Sequence, residues 1–198
     1  MSLRGFSLIE ILLVIAIIGV LASVVLGGIR GAVTASRVTK AGHTQRQLTR
    51  AVELYFADMG FYPPDVNRGW DPGFRSPLPS NPDIDAGETP GGGFNVAGTD
   101  CGHCPGNWQD IVALSWRGPY IEDWPRYTPW DGKYDYNYWG SDANRYGCTV
   151  PAGIYVGVQG DYTNNNQITV AGEEKMIDKG FDFEACENGE SQMFLHEL

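Results

Sequence analysis

Four cysteines and one oxygen-rich loop are the residues of this chain whose types and spacing suit chemistry. Cys101 and Cys104 stand in a Cys-Gly-His-Cys run, whereas Cys148 and Cys186 are far apart. Four cysteines allow three disulfide pairings. Because the first pair is local, we favour Cys101–Cys104 together with Cys148–Cys186. The alternative is that the first pair cross-links its loop to the rest of the chain.

The run at 101–104 resembles the active-site tetrad of protein disulfide isomerases. That chemistry uses a CxxC at the start of a helix, which lowers the thiol pKa. Here three glycines at 91–93 precede the run and Pro105 follows it, so the sequence disfavours redox catalysis. A zinc site has suitable ligand types in the cysteines and His103. The wide spacing of the second cysteine pair disfavours that site as well.

The oxygen-rich loop at 160–167 reads Gly-Asp-Tyr-Thr-Asn-Asn-Asn-Gln. Hard oxygen ligands on a flexible loop suit calcium. The predicted ligands are Asp161, Thr163, Asn165, Gln167 and Glu173. The loop is no EF-hand, because its sixth and twelfth positions hold neither the required Gly nor the required Glu. Asn and Asp are also ordinary turn residues, so a polar turn without an ion is the alternative.

The charge of the chain is unevenly distributed. The 198 residues carry a formal net charge of −10. Residues 1–52 hold six basic and one acidic side chain, or +5, and the remainder holds eight basic and 23 acidic side chains, or −15. An acidic larger part repels phosphates, which disfavours a nucleic-acid partner. With 42% hydrophobic residues, disorder throughout is excluded. No GxSxG, HExxH or P-loop pattern occurs, so no enzyme is predicted.

The apolar run at 6–29 has one charge, Glu10, among 24 residues. About 20 apolar residues span the hydrocarbon core of a membrane as a helix. The run is longer than the apolar core of a secretory signal peptide, and no A-x-A cleavage pattern precedes Arg30. A carboxylate inside a membrane helix is costly unless it has a partner. Glu10 would suit a subunit that neutralises the terminal ammonium of a neighbour.

The sequence Gly-Phe-Ser-Leu-Ile-Glu at 5–10, followed by the apolar run, resembles the prepilin motif of type IV pilins and type II secretion pseudopilins. In that family a prepilin peptidase cuts after the glycine, here Gly5, and methylates the new terminus, here Phe6. The family's glutamate, here Glu10, guides subunit docking. The resemblance implies identical or related pilin subunits, the peptidase and an inner-membrane assembly platform as partners. An ordinary signal anchor is the disfavoured alternative.

Beyond the apolar run, residues 30–59 read as a continuation of the same helix. Spacings of three and four form one apolar stripe, which comprises Val38, Ala41, Leu48, Val52, Tyr55, Phe56 and Met59. Gly60 and the prolines at 63–64 end the helix. Further signals predict a short helix at 110–116 and strands at 134–139, 153–159 and 193–195. The predicted fold is α+β, with a long N-terminal helix packed on a small antiparallel sheet, as in pilins.

The segment at 60–107 contains eight prolines and ten glycines. This composition excludes a long helix or a central strand. We therefore predict a long surface loop, ordered by Trp70, Phe74 and Phe94 folding back. Loops of this length are usually functional or disordered.

Parts of the head resemble the major pseudopilin. The matching runs are 54–64, 118–121 and 129–136, with Asp131 as an extra residue. Major pseudopilins bind a structural calcium after the strand that matches 154–158, and Asp161 falls where that loop begins. The resemblance thus adds weight to the calcium prediction.

The predicted organisation is a leader at 1–5, a transmembrane and filament-core helix at 6–29, an amphipathic continuation at 30–59 and an exported head at 60–198. The precursor would cross the inner membrane once and later enter a periplasmic or extracellular filament. The leading hypothesis is a structural subunit of a type IV pilus or a type II secretion pseudopilus. The alternative is a binding or adhesion module displayed as a minor pilin.

Overall fold

The computed structural model of the chain describes residues 7–80, 101–161, 165, 167–183 and 186–197, without the side chains of 24–27. Within these ranges the chain forms two compact units, residues 1–36 and 37–198. The elements are α1 (Leu8–Met59), α2 (Trp108–Ser115), β1 (Lys133–Trp139), β2 (Ala143–Arg145), β3 (Cys148–Val150), β4 (Gly153–Gln159), α3 (Val170–Asp178) and β5 (Ser191–His196).

The first unit contains only the beginning of α1 among its described residues. Its described side chains from 7 to 23 and from 28 to 33 are all exposed. By length and composition this stretch is apolar enough to cross a membrane. A helix that is apolar all round belongs inside a membrane or a large core.

In the second unit, α1 buries one side against the head. The buried positions follow alternating steps of three and four residues, as Val38, Ala41, Gln45, Leu48, Val52, Tyr55 and Met59. Gln45 lies in the middle of this stripe and is fully buried. Its Nε2 donates to the Val156 carbonyl at 3.1 Å and to Ser191 Oγ at 3.1 Å. The amide group therefore connects α1 to β4 and β5 through specific polar contacts.

The main sheet has β4 in the centre, with β1 and β5 antiparallel on its two sides. Side chains alternate between its faces. One face carries Tyr134, Tyr136, Val156 and Val158, which belong to the same buried hydrophobic cluster as the α1 stripe. Strands β2 and β3 form a separate two-stranded hairpin.

The structure confirms the α+β prediction and most predicted elements. The short helix lies two residues earlier than predicted, and the last strand is longer at both ends. Helix α3 and the hairpin of β2 and β3 were not predicted, because their segments are short and polar. Phe56 was assigned to the buried stripe, but it is 40% exposed. It lies one position beyond Tyr55, which already occupies the inward direction.

The described part of the predicted loop, residues 60–80, contains no helix or strand, and Phe74 is buried as expected. Phe61 and Val66 are buried as well, so this part packs against the head and does not form a surface loop. Gly69 N–H donates to the Tyr134 carbonyl at 2.8 Å, and the Tyr138 N–H donates to Asp65 Oδ2 at 3.2 Å.

The segment therefore covers the outer edge of β1, which would otherwise expose unpaired backbone groups. Glycine and proline are compatible with this role, because the segment does not itself form a β-strand. Trp70 is partly buried, and Phe94 lies outside the described residues.

Candidate functional site

The first turn of α1 forms a capping box. Ser7 Oγ accepts the Ile9 N–H at 3.2 Å, and Glu10 Oε2 accepts the Ser7 N–H at 2.8 Å. This Ser-x-x-Glu arrangement satisfies backbone donors that a helix start leaves unpaired. The sequence argument assigned Glu10 to a neighbouring subunit and missed this local role, although the spacing is a recognised signal. Gly5 and Phe6 lie outside the described residues.

Behind this cap, the apolar side chains of α1 have no cover in the described part of the chain. Leu8 and Ile9 are each 75% exposed, and the large apolar residues from Ile11 to Leu21 are at least half exposed. A contiguous apolar surface of this extent marks a membrane or protein contact. This half of α1 can therefore bind lipid or other apolar helices.

Two disulfides are present, Cys101–Cys104 and Cys148–Cys186. This is the pairing favoured from the sequence. The second bond joins β3 to the segment before β5 and closes a loop of sequence separation 38. Chain entropy assigns about 4 kcal/mol to a loop of that size and about 2 kcal/mol to a CxxC turn. The long-range bond is thus the stronger constraint on the head.

His103 lies against the Cys101–Cys104 disulfide. Its Nε2 is 3.2 Å from the Tyr62 carbonyl oxygen, and the Cys101 Sγ is 3.4 Å from Nε2 and 3.7 Å from Nδ1. The imidazole stacks on the Tyr138 ring with centroids 3.5 Å apart. Burial lowers the pKa of His103. Both sulfurs belong to the disulfide, so only the imidazole is left as a metal ligand in this group.

The predicted calcium ligands are engaged elsewhere where the structure describes them. Both Glu173 carboxylate oxygens accept backbone N–H groups of 188–189, at 2.6 and 2.8 Å. Gln167 Oε1 accepts Asn165 Nδ2 at 2.8 Å. Asp161 is buried and has an interaction of its own. Thr163 lies outside the described residues. Asn165 and Gln167, which are both predicted ligands, thus contact each other. The calcium site stays a prediction.

Comparison with known proteins finds similarity in the amino-terminal segment. A family model of the prokaryotic N-terminal methylation motif matches residues 2–26. The fimbrial protein EcpC of Eikenella corrodens is 39% identical over 62 residues, which cover 31% of this chain and 40% of that protein. The amino-terminal segment is thus similar to that of type IV pilin-like proteins. The alignment spans well under two thirds of the relative, and no solved structure matches the chain.

The methylation motif and the apolar helix fit membrane anchoring of a precursor with an exported head. Disulfides suit an exported head, because exported compartments are oxidising.

The head has a buried polar face that the sequence argument missed. Arg145 binds both Glu190 carboxylate oxygens, at 2.9 and 2.7 Å, and also donates to Gln159 Oε1 at 3.1 Å. Asp135 lies in the same region, and burial raises its pKa well above the ordinary value, with a further contribution from Asp65. Burial also raises the pKa of Asp65 to about 7.

This face was readable only in part from the sequence. Polar and aromatic residues alternate in β1, so Lys133, Asp135 and Asn137 share one face of the strand. Alternation is typical of a strand with one solvated face. The structure instead buries these polar side chains. Arg145 of the unpredicted β2 contacts this face, so no local pattern indicated its burial.

Proposed function

We propose that this chain is the structural subunit of a type IV pilus-like filament, cut after Gly5, methylated at Phe6 and polymerised through α1. One observation carries the proposal: the first half of α1 is apolar all round and exposed, and most of it lies within the matched methylation motif at residues 2–26. Such a helix has to be buried in a membrane or in a bundle of equivalent helices. Prepilin peptidase and an inner-membrane assembly platform would be its processing and assembly partners.

In this proposal Glu10 has a different partner in the filament from the one it has in the isolated chain. Cleavage after Gly5 makes Phe6 the new amino terminus and leaves Ser7 as the second residue. The Glu10 carboxylate, which accepts the Ser7 N–H in the isolated chain, then pairs with the terminal ammonium of a neighbour. In an apolar core, that pairing removes the cost of two isolated charges.

The test separates the two roles of Glu10. Glu10→Gln keeps the capping box, because Gln also accepts the backbone N–H at this position, but it removes the charge. Glu10→Ala removes both. If the charge drives docking, both variants should lose filaments while the subunit still reaches the membrane. Normal filaments from Glu10→Gln would contradict the charge-pairing role, and normal filaments from both would contradict the proposal for Glu10.

Processing has an independent measurement. The mass of the filament subunit should equal that of residues 6–198 plus one methyl group, with two disulfides. An uncleaved amino terminus in assembled filaments would contradict cleavage after Gly5, whatever the outcome for Glu10.

A pilus and a secretion pseudopilus differ in where the filament ends. The name of the fimbrial relative supports a pilus, whereas the head resemblance supports a pseudopilus. Electron microscopy of cells at native expression should show surface filaments in the first case and none beyond the outer envelope in the second.

Calcium at 161–173 is a further proposal, supported by the composition of that loop and the resemblance to major pseudopilins. A bound ion should raise the unfolding temperature of the head, because it binds the folded state alone. The measurement is thermal unfolding with calcium and with chelator, and Glu173→Gln should remove any difference. Equal curves for the unmodified chain would favour the polar turn.

A further inference from the structure

We infer that Cys101–Cys104 is an exchange-active disulfide that oxidises dithiols, with His103 stabilising the thiolate released at Cys101. This activity goes beyond filament formation and does not depend on it. The inference begins from geometry, because the sequence around the turn lacks the helix start that usually activates a CxxC. Helix α2 begins at Trp108, four residues after Cys104.

The contacts of His103 fix the positions of its proton and its lone pair. The carbonyl oxygens of Tyr62 and Pro63 lie 3.2 and 3.1 Å from Nε2. A carbonyl only accepts hydrogen bonds, so Nε2 carries the hydrogen. In the neutral ring Nδ1 is then the basic nitrogen. Cys101 Sγ lies 3.7 Å from Nδ1 and 3.4 Å from Nε2, so it contacts both nitrogens of the ring. A basic nitrogen beside a sulfur activates a thiol by taking its proton.

The surroundings hold the imidazole in place and leave the turn open. The ring stacks on Tyr138 of β1 with an interplanar angle of 7°. Both sulfur-bearing residues are partly exposed, and a side chain added at Gly102 would meet nothing within 4 Å. In the second disulfide Cys148 is only 2% exposed, but Cys186 is exposed. Access by itself therefore does not distinguish the two disulfides, and the difference that remains is the imidazole beside Cys101.

The exchange proceeds in two steps. A thiolate of the dithiol attacks Cys104 Sγ, the disulfide breaks, and its electron pair leaves on Cys101 Sγ. The proton given up by the dithiol goes to His103 Nδ1, which forms an imidazolium beside the new thiolate. The second thiol then gives its proton to Cys104 and attacks the mixed disulfide at the dithiol's first sulfur. The dithiol has lost two electrons and two protons, and the chain has gained them.

The thiolate–imidazolium pair makes the exchange dependent on pH. Burial lowers the pKa of His103, and the thiolate released beside the ring opposes that shift, because an adjacent negative charge favours the imidazolium. The titratable side chains that contact the His103 ring in the described residues are Cys101 and Tyr138. A thiol beside an imidazolium has a lower pKa than the ordinary value of about 8.5. A lower pKa makes Cys101 a faster leaving group.

The experiment measures reduction of each disulfide in the full chain by dithiothreitol, with acid quenching, alkylation and mass spectrometry. We expect Cys101–Cys104 to be reduced faster than Cys148–Cys186. His103→Phe keeps a ring for the Tyr138 stack but has no nitrogen, and it should slow reduction of Cys101–Cys104 about tenfold. The rate at Cys148–Cys186 in the same molecules reports whether the head is still folded, and it should not change.

The second measurement is the pH dependence of Cys101 alkylation after reduction. The pKa of Cys101 should lie below its ordinary value in the unmodified chain and return to it in His103→Phe. Equal reduction rates in the two chains, or an ordinary Cys101 pKa in the unmodified chain, would overturn the inference and leave the proposed filament function untouched.

Discussion

The two halves of helix α1 differ in whether their apolar side chains are buried by the rest of the chain. From Leu8 to Ile29 the described apolar side chains are exposed, whereas from Val38 to Met59 one stripe is buried against the head. Both halves are helical without interruption. The difference lies in where the apolar surface finds cover: outside the chain for the first half and inside it for the second. Substitutions in the first half should therefore affect assembly, and substitutions in the second should affect folding of the head.

The largest expected effect is a charge in the first half. Ile17→Asp places a carboxylate in the middle of the apolar run, which costs about 2.5–3.5 kcal/mol at the centre of a membrane helix. We expect loss of filaments, measured by shearing and microscopy, because each subunit brings the same charge into the core. The unfolding temperature of the head in detergent should not change. A destabilised head with normal filaments would contradict the assignment of the first half of α1 to assembly.

A cavity in the second half should have the opposite signature. Leu48 is 2% exposed in the head core. Leu48→Ala should lower the free energy of unfolding by about 2–5 kcal/mol, because a buried cavity is left behind. The matched control is Leu54→Ala, at a position 42% exposed on the same helix. It should change stability by about 0.5 kcal/mol or less. Equal effects in denaturant unfolding would show that the α1 stripe is not the buried face.

One glycine substitution should change sign between the halves. A Cβ at Gly42 would overlap the Phe181 ring, whereas a Cβ at Gly31 would meet nothing within 4 Å. Gly42→Ala should destabilise the head by about 1–3 kcal/mol through overpacking. Gly31→Ala should instead strengthen the helix by up to about 1 kcal/mol, because Ala has the higher helix propensity. Thermal unfolding followed by helical circular dichroism distinguishes the two, and a stable Gly42→Ala head would contradict the close approach.

The last expected effect is a pH dependence of stability that belongs to the head alone. Burial raises the pKa of Asp65 from 3.8 to about 7 and that of Asp135 well above its ordinary value. At a pH between the unfolded and the folded pKa of each carboxyl, the folded state holds a proton that the unfolded chain has released. Stability is therefore highest below pH 4 for these groups and falls as the pH rises towards 7, by up to about 1.4 kcal/mol per pH unit for each carboxyl.

The measurement is the unfolding temperature from pH 4 to 8. Asp135→Asn keeps the size and shape of the side chain and should flatten the curve of unfolding temperature against pH. Asp142→Asn, at an exposed position, should leave that curve unchanged. An unchanged slope in Asp135→Asn would mean that Asp135 binds no proton in this range.

The sequence predicted the features that depend on residues close together in the chain and missed those that depend on contacts between distant residues. The apolar run, the helix up to Met59 and the strands β1 and β4 came from local patterns, which periodicity reports directly. Burial of the segment at 61–74 could not be predicted in this way. Its glycine and proline content indicates which backbone conformations it adopts, but not that it packs along the edge of β1. Gln45 was also missed, since a polar residue on an apolar stripe is explained only by the carbonyl of Val156 and the hydroxyl of Ser191.

The sequence by itself determined that the chain begins with a methylation motif and an apolar helix long enough to cross a membrane, because both features are contiguous in the chain and are recognised from local patterns. Only the tertiary structure decided which polar groups are buried together. Asp65, Asp135, Arg145 and Glu190 are separated by up to 125 residues in the chain, yet they interact in one region of the head. Their protonation and pairing depend on that proximity, since charge interactions are set by distance and burial and not by sequence spacing.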